Sequence, residues 1–158
     1  MKKTPYLLFG FLAFFLFSCK KNTPQKPLEE DASTSNLWID ETETYLPQTA
    51  EWTNRVEVAD ITGDGLIDLL FANGGNYSEP GDLEPCRVFI NNGANRKFEE
   101  ITNEVFGDEK FLSRVVKVQD INNDNIQDII VSTTYQTQSQ LYLGLGKGKF
   151  TNVTATHF

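Results

Sequence analysis

Two acidic segments hold the residues best suited to chemistry. The first runs Asp60-Ile61-Thr62-Gly63-Asp64-Gly65-Leu66-Ile67-Asp68, and the second, 60 positions later, Asp120-Ile121-Asn122-Asn123-Asp124-Asn125-Ile126-Gln127-Asp128. Each places oxygen-bearing side chains at positions 1, 3, 5 and 9: Asp60, Thr62, Asp64 and Asp68, then Asp120, Asn122, Asp124 and Asp128. Position 6 is Gly65 or Asn125. A hard cation such as Ca2+ takes about six to eight oxygen ligands, so the pattern suits a loop wrapped around one ion. Mg2+ fits less well, because it demands near-ideal octahedral geometry. Without an ion, three carboxylates within one turn would repel each other. Asp, Asn and Gly are also favoured turn residues, so one copy alone could be a plain tight turn. Two copies with matched positions favour the cation.

The flanking residues show what positions these loops. Val56 and Val58 precede the first loop and Ile67, Leu69 and Phe71 follow it, alternating with other residues; Val116 and Val118 precede the second, and Ile129-Ile130-Val131 follow it. β-branched residues at a period near two predict strand–loop–strand. That excludes a helix–loop–helix calcium site. A further strand is predicted in each copy, at Arg87–Ile90 and at Gln140–Leu143, leading into turns at Asn91-Asn92-Gly93 and Gly144–Gly148.

A second marker is an aromatic residue followed four positions later by Thr: Phe98…Thr102, Phe150…Thr154 and, upstream, Trp38…Thr42. Trp38 lies 22 residues before Asp60, and Phe98 lies 22 before Asp120. The aromatic residues are expected in the core. The unit is therefore four strands with the acidic loop between its first and second. The units span 60 and 52 residues, and the first carries seven extra residues in the Asn73–Pro85 connection and one in the turn before Phe98. A four-stranded antiparallel unit repeated at this period predicts β-propeller blades.

These residues resemble the FG-GAP/VCBS family, which includes integrin-alpha-like and cartilage-acidic-protein-like propellers. Its hallmark is V-x-V-x-D-x-[DN]-x-D-G-x-x-D followed by a short apolar strand. The likeness runs from Trp38 to Thr154, departing at Thr62, where Asp or Asn is usual, and at Asn125, which replaces Gly. Asn tolerates φ > 0 better than other non-glycine residues. The expected metal ligands are the eight side chains named above plus the Leu66 and Ile126 backbone carbonyls.

The expected fold is all-β: two four-stranded antiparallel propeller blades, repeats at about 55–102 and 114–154, plus a leading outer strand at Trp38–Thr42, in an incomplete ring. Two blades do not close a ring, so an N-terminal fragment of a longer protein is expected, with two repeats present. The alternative is a two-blade protomer that self-assembles.

The N-terminus has its own pattern. Lys2-Lys3, an apolar run from Tyr6 to Phe17 and then Ser18-Cys19 form a secretory signal, too short for a spanning helix. Leu16-Phe17-Ser18-Cys19 resembles a bacterial lipobox, with Phe17 departing from the usual small residue. Residues 1–19 are thus expected to be a lipoprotein signal peptide with Cys19 as the lipidation site. Residues 20–36, rich in Lys, Pro, Glu, Ser and Thr, form a flexible tether, and 37–158 form the repeat region. Lys20 after the Cys leans toward the outer membrane. Cys86 is left as either a buried inert thiol or a thiol with a partner elsewhere.

A formal net charge of −8 argues against nucleic acid. His157 is the sole histidine, and no nucleophile elbow, phosphate loop or Cys/His cluster is present, so no enzyme activity is expected. The sequence-level reading is a calcium-binding lipoprotein of the bacterial envelope, held at the membrane by its lipid. It would act in adhesion or scaffolding with a protein or glycan ligand. The alternative is an accessory part of a secreted polysaccharide-active enzyme whose catalytic residues lie outside this chain.

Overall fold

The computed structural model describes residues 38–93 and 97–157. The signal-like segment 1–19 with Cys19, and the tether 20–36, lie outside the described residues. From Asp40 onward the chain forms one compact unit. It opens with a short helix, α1 (Thr42–Tyr45), followed by β1 (Thr53–Ala59), β2 (Asp68–Asn73), β3 (Arg87–Asn91), β4 (Phe98–Glu100) and α2 (Thr102–Phe106). The pattern then recurs as β5 (Ser113–Gln119), β6 (Asp128–Thr133), β7 (Gln140–Gly146), β8 (Lys149–Asn152) and α3 (Thr154–His157). No helix among the described residues is long and apolar enough to cross a membrane.

The strands form two antiparallel sheets, β1-β2-β3-β4 and β5-β6-β7-β8, neither closed into a barrel. Their registers are copies of each other. Val56 pairs with Phe71 and Val58 with Leu69; in the second sheet Val116 pairs with Val131 and Val118 with Ile129. Even the irregularity in the innermost pair recurs, at Thr53/Arg55 and at Ser113/Val115. Phe71 opposite Arg87 and Val131 opposite Gln140 put the seven-residue difference in the β2–β3 connection, as the spacing predicts.

Each strand alternates its side chains between the two sheet faces. Leu70, Ala72 and Val88 of the first sheet, Cys86 just before β3, and Val116, Val118, Ile129 and Val131 of the second sheet meet in one buried cluster. Val105 and Phe106 of α2, with Phe111 beyond it, complete that core. The Phe106 ring stands edge-on to Phe111 at 5.8 Å and to Tyr142 at 5.0 Å. The longer β2–β3 connection is pinned to the inter-sheet linker by paired backbone hydrogen bonds between Glu84 and Phe111, at 3.0 and 2.8 Å. Gly74 lets it approach: a Cβ there would lie 2.0 Å from the Phe111 carbonyl oxygen.

Cys86 is fully buried, which settles its exposure. Its Sγ donates to Ser113 Oγ at 3.3 Å, and that hydroxyl donates to the Asn73 carbonyl at 2.6 Å. Burial pushes the thiol above its ordinary value, which disfavours the thiolate.

The leading strand expected at Trp38–Thr42 is absent. Residues 38–41 have no regular structure and Thr42 begins α1. A strand needs a neighbour for its backbone groups. β4 and β8 have β3 and β7, whereas 38–41 have no such neighbour among the described residues. The Asp40 carboxylate instead accepts the Thr42 N–H at 3.0 Å, turning the chain into the helix. Trp38 is accordingly exposed, against its expected core position, while Phe150 packs on the core.

What the three markers share is the threonine at the start of a helix, at Thr42, Thr102 and Thr154. Thr102 Oγ1 accepts the Val88 N–H at 3.1 Å, and Thr154 Oγ1 accepts the Leu141 N–H at 2.9 Å. Each hydroxyl thus satisfies a third-strand donor beyond the end of the fourth strand. Replacing Thr102, which is buried, with isosteric Val strands the Val88 N–H. Thr102→Val is expected to cost about 1–3 kcal/mol, read as a lowered urea midpoint with unchanged slope.

Candidate functional site

Both acidic loops connect the first two strands of a sheet, Ala59 to Asp68 and Gln119 to Asp128. The turn is made by left-handed backbone at Gly63 and Gly65 in one copy and at Asn123 and Asn125 in the other. Asn125 therefore adopts the conformation that glycine supplies in the first loop.

The hydrogen bonds around the position-1 carboxylates match atom for atom. Asp60 Oδ1 accepts from the N–H of Gly63 at 2.7 Å and Asp64 at 3.2 Å, and Oδ2 accepts from Gly65 at 2.8 Å. Asp120 accepts from Asn123, Asp124 and Asn125 at 2.7, 3.2 and 2.8 Å. At position 5, Asp64 Oδ1 accepts the Leu66 N–H and Asp124 Oδ1 the Ile126 N–H, both at 2.8 Å. At position 3, Thr62 Oγ1 donates to Asp60 Oδ1 at 3.4 Å, whereas Asn122 Nδ2 donates to Asp124 Oδ2 at 2.9 Å.

Position 9 behaves differently. Asp68 and Asp128 are fully buried. Asp68 accepts the Ile61 N–H at 2.9 Å and the Asn91 N–H, on the third strand, at 2.8 Å. Asp128 does the same with Ile121 at 2.9 Å and Gly144 at 2.8 Å. Each carboxylate therefore ties the start of its loop to the end of a neighbouring hairpin. Asn91 and Gly144 are read from the sequence only as turn residues. Their offsets from the aspartates differ because the β2–β3 insertion lies between.

The two acidic positions of the first loop are pushed in opposite directions. Desolvation works against the Asp60 charge, but the N–H groups of Gly65, Gly63 and Asp64 outweigh it and hold the carboxyl below its ordinary value. Burial drives Asp68 up, with the nearby Asp64 charge adding to it, against the N–H groups of Asn91, Ile61 and Thr62.

The expected ligands are thus gathered loop by loop, although among the described residues no three Asp, Glu, His or Cys side chains converge as a metal cluster. The donor set is entirely oxygen. A carboxylate offers about four acceptor sites; Asp64 gives one to the Leu66 N–H, and Asp68 gives two to backbone donors. Acceptor capacity remains for a hard cation, and Asp64 and Asp124 are exposed to solvent.

The FG-GAP-like repeat family model matches residues 60–131, from the first residue of the first loop through the strand after the second. This stretch is similar to the FG-GAP-like repeat family. No curated protein matches the chain. The FG-GAP-like repeats and the paired four-stranded sheets together describe a β-propeller-type module.

The geometry separates two roles within each FG-GAP-like loop. Asp68→Ala removes the acceptor of two backbone donors and is expected to cost about 1–3 kcal/mol for each N–H left unpaired, with or without calcium. Asp64→Ala, at an exposed position, is expected to change calcium-free stability by under about 1 kcal/mol. Chemical unfolding of both variants with and without chelator checks the distinction.

Proposed function

We propose that this protein is a calcium-stabilised FG-GAP-like module that acts without catalysis, in binding, adhesion or scaffolding at a bacterial envelope. The observation that carries the cation reading is the duplication of the loop frame. Residue types at positions 3 and 6 differ between the copies, yet the position-1, -5 and -9 carboxylates keep the same backbone partners. At position 5 each carboxylate spends one oxygen on the N–H two residues on, a bond that Asn would make equally well, and faces water with acceptor capacity to spare. Asp60, Thr62, Asp64, Asp68 and the Leu66 carbonyl would hold one Ca2+; Asp120, Asn122, Asp124, Asp128 and the Ile126 carbonyl would hold the other. The ion would supply positive charge where carboxylates crowd.

Attachment rests on the lipobox-like run ending at Cys19. A lipid on that residue and the tether of residues 20–36 would present the module from the outer membrane to a protein or glycan ligand.

Isothermal titration of the chelator-treated protein with CaCl2 is expected to give two sites per chain. Asp64→Ala and Asp124→Ala are each expected to remove one site and leave the other. A titration without heat at millimolar calcium would contradict the cation reading. Cys19→Ala is expected to move the protein from the membrane to the soluble fraction of cells.

A further inference from the structure

The contact between the two sheets is directional: the face of the first that packs is not the equivalent of the face of the second that it meets. The first sheet gives Leu70 and Ala72 of β2; the second gives Val116 and Val118 of β5. Because the sheets are copies, each also carries the face that the other uses. Val56 and Val58 on β1 stand where Val116 and Val118 stand on β5, and Ile130 and Ser132 on β6 stand where Leu70 and Ala72 stand on β2.

Those second faces are less covered: Val56 and Val58 are exposed, and Ile130 and Ser132 are half-buried where Leu70 and Ala72 are fully buried. Val116 and Val118 are 0% and 6% exposed, whereas Val56 and Val58 are 41% and 58% exposed. At the other end, Ile61 is 2% exposed and its equivalent Ile121 is 40% exposed. Farther out, the equivalent pair Phe89 and Tyr142 are both buried, so the difference lies near the inner strands and loops, where a neighbouring sheet would sit. The chain therefore presents both halves of an interface that it already makes once.

The polar part of that interface is complementary too. Glu57 Oε1 pairs with the Lys117 ammonium and accepts the Val118 N–H at 3.4 Å. Glu57 and Lys117 occupy equivalent positions in the two sheets. In a copy docked by the same geometry, Lys117 of one chain would face the partner's Glu57. Opposite charges would meet again with their order reversed, each already paired within its own chain, so the contact brings no like charges together.

We infer that the open β1 face of one copy packs on the half-buried β6 face of a second copy, head to tail, repeating the contact between the two sheets. Covering the exposed valines and Ile121 supplies the driving force, and a heterologous contact of this kind continues until it closes a ring or runs on. The inference does not depend on calcium.

Multi-angle light scattering of the full chain across a dilution series, with any detergent mass accounted for, tests it. The expected result is concentration-dependent association beyond one copy. Val58→Glu spoils one face and Ser132→Glu the other, so each variant alone is expected to be monomeric while keeping its β-sheet circular dichroism. Val58→Ser and Ser132→Gln replace any charged variant that loses that spectrum. An equimolar mixture of the two variants retains one good pair of faces and is expected to give a dimer and nothing larger. A wild-type monomer at every concentration would overturn the inference. So would association that survives either variant, or a mixture that stays monomeric.

Discussion

The arrangement depends on one buried carboxylate per repeat. Asp68 and Asp128 sit at the first residue of a second strand, with no exposed surface, and each holds two backbone N–H groups. One donor lies at the start of the acidic loop and the other in the third strand, at its last residue in the first copy and two residues before its end in the second. A single side chain thereby fixes the loop's closure and the position of the neighbouring hairpin turn. Burying that charge is costly unless it is fully hydrogen-bonded, and desolvation does push the Asp68 carboxyl upward. A cation in the same loop would offset that cost, which links the fold of each repeat to the ion proposed for it.

The second constraint is that a sheet has two faces. The facing surfaces of the two sheets, with α2, bury the aliphatic core. α2 is placed by Thr102, whose hydroxyl caps the Val88 N–H. The long β2–β3 connection adds a backbone bridge from Glu84 to Phe111. Two ties of different origin thus hold the linker between sheets, one from the repeat itself and one from its insertion.

Much of this was legible in the sequence because it was written twice. The alternation around Val56–Val58 and Val116–Val118 gave the strands, and the spacing of Phe98 and Phe150 located the insertion in the β2–β3 connection. The strand expected at Trp38–Thr42 does not form; its marker combines two signals. The threonine stands at the start of a helix each time; at Thr102 and Thr154 its hydroxyl holds a third-strand N–H, whereas at Thr42 the local Asp40 carboxylate turns the chain into α1. The strand before it requires a partner, which no local pattern records. The acidic pattern likewise hid a division of labour. Asp60, Asp64 and Asp68 look alike by type and spacing, yet only Asp68 is buried, because its partner Asn91 arrives from a hairpin whose offset varies between repeats. Nothing in the spacing distinguishes a carboxylate facing water from one facing two N–H donors.

Thermal melting measures the proposed cation dependence of these loops most directly. Melting of the full chain in chelator and then in excess CaCl2 is predicted to show a rise of at least about 5 °C, since each site at 100-fold excess over its Kd adds about 2.7 kcal/mol. The same melting temperature in chelator and in millimolar calcium would contradict the account.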